Sequence, residues 1–96
     1  MSKSSINKLF GSHLIESGYK MSTANHFEKK YENYLFCIDR DIADHFELRL
    51  LKQNQFGETK CINSEFVKGF SNFETNDFIN LIQNTEEKYR KIIENQ

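Results

Sequence analysis

The spacing of apolar positions along the chain marks five elements, two at helical period and three at a period of two. From Ser4 to Ser17 the residues Ile6, Leu9, Phe10, His13 and Leu14 follow the i, i+3, i+4, i+7, i+8 stripe of one helix face. The preceding serines can cap the free backbone N–H groups. Gly18 stands where a left-handed C-terminal residue is wanted, with Tyr19 placed to fold back on the last turn. Gly11 weakens this helix by about 1 kcal/mol relative to alanine. Lys20 to Lys30 is polar and aperiodic apart from Phe27, and reads as a connection or a short irregular turn of helix.

From Tyr31 the period becomes two. Tyr34, Phe36 and Ile38 share one face of a first strand over Tyr31–Asp39, and Leu35 and Cys37 share the other. A strand with one face in water should alternate, so this one is expected to be covered on both sides, by helices or by a partner. After the Asp39–Asp44 connection, His45–Lys52 reads as a second strand, with Phe46, Leu48 and Leu50 inward and Glu47 and Arg49 outward. Gln53–Glu58 contains Gly57 and reads as a hairpin turn. Thr59–Phe70 follows as a third strand, with Ile62 and Phe66 inward and Gly69 marking a bulge or the strand end.

The clearest helix runs from Thr75 to Asn95. Phe78, Ile82, Thr85, Tyr89 and Ile92 form its apolar stripe, Thr75 is placed to cap it, and Asp77 lies where the helix dipole favours negative charge. The expected fold is a single α+β domain over residues 1–96. Its order is α-β-β-β-α, a three-stranded antiparallel sheet packed with N- and C-terminal helices. A chain of 96 residues buries roughly 60–65% of its unfolded surface, enough for one modest core without a disulfide or metal staple.

Composition narrows the function classes. Net charge is −1, from 13 basic and 14 acidic residues without a long block of either sign. A protein that lives on non-specific nucleic-acid affinity is usually basic, and a mimic of DNA is strongly acidic. Cys37 and Cys61 lack CxxC spacing and read as two buried, reduced thiols that act as small hydrophobes. No apolar run nears the roughly 20 residues that span a bilayer, and the first residues form an amphipathic segment, unlike a secretory leader. A cytoplasmic location and no membrane partner are therefore expected. Lysine outnumbers arginine ten to three, isoleucine and asparagine abound, and proline and tryptophan are absent. These preferences suit the A/T-rich codons of an AT-rich bacterium, phage or mobile element.

Candidate chemistry is sparse. Asp39, Asp41, Asp44 and His45 are the densest polar cluster, and carboxylates with an imidazole suit a divalent cation. Ala43, however, takes the third ligand position of a calcium loop and no glycine follows, so a hydrophilic turn with local aspartate hydrogen bonds is expected. Glu58-Thr59-Lys60 has the letters of a metal-dependent nuclease but falls in the turn, and Glu47-Leu48-Arg49 ends in arginine. His13, His26 and His45 are scattered, no serine or cysteine sits in a nucleophile context, and the four glycines are isolated. No cofactor, metal or catalytic residue is assigned.

Lys68-Gly69-Phe70 matches the start of an RNA-binding strand motif, but Ser71 and Asn72 depart from it and the helix that such a fold places between its first two strands is missing. RNA or single-strand binding through Lys60, Lys68, Phe70 and Phe73 is thus the second expectation, and a metal-dependent hydrolase using Asp39, Asp41 and His45 the third. The first rests on aromatic excess: nine Phe and four Tyr, several of them beside loops and strand ends. Aromatic residues are enriched in interface cores. The leading expectation is a small non-enzymatic binding protein that acts on a protein partner or a second copy of itself. It resembles in character the inhibitors and regulators encoded by phages and mobile elements, of the anti-defence, antitoxin or host-takeover kind. Tyr31, Phe56, Phe70 and Phe73 are its expected apolar contacts, with Lys68 as a rim charge.

Overall fold

The computed structural model describes residues 6–23, 26–40, 45–69 and 72–96. Along the chain these form α1 (Ile6–Glu16), β1 (Lys20–Thr23), β2 (His26–Tyr31), β3 (Tyr34–Arg40), β4 (His45–Gln53), β5 (Thr59–Lys68) and α2 (Thr75–Glu94). The strands make one antiparallel meander in the order β1-β2-β3-β4-β5, so β1 and β5 are its edges. The α+β class and the flanking helices are as expected; the sheet has five strands instead of three.

The two additional strands occupy the segment read as a connection. β2 is concealed because its helix-facing positions are Phe27, Lys29 and Tyr31, in register with Ile38, Phe36 and Tyr34 of β3. A lysine in the middle of that face breaks the apolar alternation. The β2–β3 turn is concealed too: Glu32 carries it in the left-handed region, at φ 54°, without a glycine. The strand expected over Tyr31–Asp39 therefore begins at Tyr34, and Tyr31 closes β2.

Both helices lie on one face of the sheet. Phe10 of α1 stacks on Phe78 of α2 with ring centroids 4.0 Å apart, and Phe78 in turn meets Phe46 at 5.8 Å. Phe27, Phe36, Ile38, Phe46, Leu48 and Leu50 complete the core beneath them. α1 ends as its sequence requires: Gly18 takes φ 98°, and the Tyr19 N–H reaches back to the Leu14 carbonyl at 2.9 Å. The N-cap of α2 is Glu74 and not Thr75; Glu74 and Asp77 form a reciprocal capping box.

β5 departs from a simple alternation. Leu50 pairs with Asn63 and Leu51 with Cys61, so Ile62 is an extra residue in β5. The bulge shifts the alternation by one position. Ile62 and Val67 pack toward the core, whereas Phe66 turns outward and is 61% exposed. The inward placement expected for Phe66 assumed an unbroken strand and is corrected here.

Tyr89 offers a direct check on the core. Its ring is 1% exposed beneath the sheet, and its hydroxyl has no hydrogen-bond partner among the described residues. Burial pushes its pKa up to about 12. A buried hydroxyl without a partner loses its hydration for no return. Tyr89→Phe is expected to stabilise the fold by about 1 kcal/mol, which raises Tm by about 4–8 °C in a domain of this size. A thermal melt that instead drops by several degrees would show that the hydroxyl is bonded.

Candidate functional site: the uncovered face of the sheet

The face of the sheet opposite the helices is laid out in cross-strand rows. One row runs Lys30, Leu35, Leu51, Cys61; the next runs Glu28, Cys37, Arg49, Ser64; the third runs His26, Asp39, Glu47, Phe66. Directly opposed residues in an antiparallel pair hold their Cβ atoms about 4.5–5.5 Å apart, so each row is a line of neighbouring positions. Among the described residues no helix covers them.

The middle of this face is an ion-pair cluster. Asp39 accepts from His26 Nδ1 with one carboxylate oxygen and from Arg49 Nη2 with the other. The second imidazole nitrogen of His26 lies 3.3 Å from Glu28 Oε2, and Arg49 Nε lies 3.5 Å from Glu47 Oε1. Burial acts to lower the His26 pKa, but the hydrogen bonds to Asp39 and Glu28 outweigh it and the net direction is upward. Cys37 sits under this cluster, 2% exposed, and burial pushes its thiol up to about 12. Unligated, it is protonated at neutral pH, whereas Cys61, expected to be buried as well, is exposed on β5. The burial of Cys37 comes from the side chains flanking it in the sheet, not from a second helical layer. Of the two covers expected for this strand, helices or a partner, helices on both faces are therefore corrected.

A second feature lies between the helices. A pocket of about 160 Å³ is walled by Leu14, Phe78 and Ile82 and edged by His13, Lys29 and Glu86. Glu86 is 7% exposed, and its carboxylate accepts from the Tyr19 hydroxyl at 2.6 Å, from Lys29 Nζ at 3.4 Å and from Arg90 at 3.3 Å. Its charge is therefore fully engaged within the fold.

The residues expected to form a contact surface are not gathered in one place. Tyr31 is half-buried, stacked on Phe36 at 5.7 Å with Arg90 over its ring. Phe73 is half-buried against the core. Phe56 is 77% exposed at the tip of the β4–β5 hairpin, where Asn54 Oδ1 accepts from the backbone N–H groups of Phe56 and Glu58. Phe70 lies outside the described residues, as do Asp41 and Asp44. Lys68 is exposed on β5 opposite His45. Lys60 stands eight residues away on the same strand, about 26 Å distant at the usual rise, so the two lysines do not form one patch. Asp39 is held by His26 and Arg49.

Phe66 is the exposed aromatic residue that period-two reading misses. A signal was available: Ile62 and Val67 are five apart, and an unbroken strand cannot turn both toward one core. Comparison with protein-family models, with curated proteins and with solved structures finds no match. Among the described residues no helix is long and apolar enough to cross a membrane.

Proposed function

We propose that this chain is a small non-enzymatic binding protein that acts by protein–protein contact through the uncovered sheet face and the adjoining β5 edge. The observation that carries this reading is Phe66. It is a large aromatic side chain, 61% exposed, on the edge strand of the sheet. β5 is ten residues long, while the opposite edge, β1, has four. A long edge strand presents unpaired N–H and C=O groups to any extended chain beside it, and proteins normally blunt such edges. The bulge at Ile62 blunts only the first part of this one, leaving Ser64–Lys68 regular. Strand addition there would draw affinity from the main chain and specificity from a pocket for Phe66 on the partner. Lys68 lies two residues on, on the same face, as a rim charge. The codon-linked composition suits an AT-rich bacterium, phage or mobile element as the source, and a regulator or inhibitor of a host system is the kind of binding protein proposed.

Affinity capture from lysate of the source organism, at low and high salt, tests the proposal. A discrete protein retained at high salt by the native chain and lost with Phe66→Asp is the expected result. Capture of nucleic acid alone, released as salt rises, would replace the proposal with the nucleic-acid reading.

A further inference from the structure

We propose that His26, Glu28 and Cys37 form a Zn²⁺ site on the uncovered face of the sheet, with Asp39 as its outer-sphere carboxylate. An imidazole nitrogen of His26, a carboxylate oxygen of Glu28 and the Cys37 sulfur all lie within 4.8 Å of one another. Tetrahedral zinc with nitrogen, oxygen and sulfur donors needs separations of about 3.4–3.6 Å, given the usual metal–ligand distances. His26 Nε2 and Glu28 Oε2 already stand 3.3 Å apart, so closure needs only side-chain movement. The frame beneath them is rigid: Glu28 opposes Cys37, and His26 opposes Asp39, in one continuous β2–β3 ladder.

The hydrogen bonding of His26 is what separates this cluster from a chance grouping. A zinc-binding histidine almost always gives its other ring N–H to a carboxylate or carbonyl, which fixes the tautomer and the ring plane. Here Asp39 takes Nδ1, and Arg49 holds the far oxygen of Asp39. That arrangement leaves Nε2 turned toward Glu28. The donor set of one sulfur, one nitrogen and one oxygen suits Zn²⁺ better than Mg²⁺ or Ca²⁺, which prefer all-oxygen shells. On binding, the Cys37 S–H bond breaks, its proton leaves to solvent, and the thiolate becomes the third protein ligand. The Glu28 side chain is 41% exposed, so the fourth position opens toward water. This site stands or falls independently of any partner at Phe66.

Titration of the full, chelator-treated chain with Co²⁺ tests the site, followed by displacement with Zn²⁺. The expected result is a near-ultraviolet thiolate-to-cobalt band that saturates at one equivalent and vanishes on adding Zn²⁺. Cys37→Ala should abolish the band, Cys61→Ser should leave it intact, and Asp39→Asn should weaken binding about 10–100-fold. If circular dichroism shows that Cys37→Ala does not fold, Glu28→Gln at the exposed rim takes its place, with at least a tenfold loss expected. The absence of a thiolate band, a band that disappears with Cys61→Ser, or an undiminished affinity in Glu28→Gln would each overturn the proposal.

Discussion

Replacing Phe27 by alanine is expected to destabilise the fold by about 3–5 kcal/mol, the cost of deleting a fully buried aromatic side chain and leaving a cavity. Phe27 is 0% exposed. It lies on the helix-facing side of β2, flanked by Met21 on β1 and Ile38 on β3. Small domains hold only about 5–15 kcal/mol in all, so this single change removes a large share. Urea denaturation followed by circular dichroism reads the loss directly. Phe27→Leu, which keeps most of the volume, should cost about 1 kcal/mol and gives a second point if the alanine variant is too unstable to purify. A loss below about 1 kcal/mol for Phe27→Ala would mean that β2 is not part of the core. By contrast Phe66→Ala, at an exposed position, should fall within about 0.5 kcal/mol of the native chain.

That contrast also marks where the sequence can and cannot be read. α2 was legible because Phe78, Ile82, Thr85 and Tyr89 repeat at helical spacing and all four are buried. β4 was legible because it alternates strictly, with Phe46, Leu48 and Leu50 beneath the helices. β1 and β2 were not, because a sheet with one bare face carries polar residues on that face and here also carries Lys29 on the other. Hydropathy registers Lys29 as solvent; in the fold its side chain crosses the Tyr19 ring and reaches Glu86. The same limit hid the His26–Glu28–Cys37 cluster. Cys37 joins His26 and Glu28 only through the β2–β3 register, and the polar β2 sequence gives no pattern from which that register follows. Phe66 was misplaced for a smaller reason, a single inserted residue at Ile62 that reverses every side chain after it.

Glu86 is the second position of large effect. It was not singled out because a glutamate between Thr85 and Tyr89 on an amphipathic helix normally faces water. The structure buries it instead, at 7% exposure, where it binds Tyr19 of the α1–β1 connection, Lys29 of β2 and Arg90 one turn along α2. One carboxylate thus ties the end of α1, the sheet and α2 together. Glu86→Ala strands three groups, but not equally. The Lys29 and Arg90 side chains are 25% and 40% exposed, so both can turn their charges to water at little cost. Tyr19, 3% exposed, cannot. Its burial and its bond to Glu86 already hold the phenol pKa far above the ordinary range, so it stays a neutral donor that needs an acceptor. Leaving that hydroxyl unpaired costs about 1–3 kcal/mol, and the lost packing of the glutamate stem adds to it. The expected total is about 2–3 kcal/mol, or a fall in Tm on the order of 10–20 °C. Pairing Glu86→Ala with Tyr19→Phe should recover about 1 kcal/mol or more of that loss, since the double variant no longer buries an unsatisfied hydroxyl. Strictly additive losses in the double-mutant cycle would show that the 2.6 Å contact carries no coupling and that Glu86 is held only by its two cations.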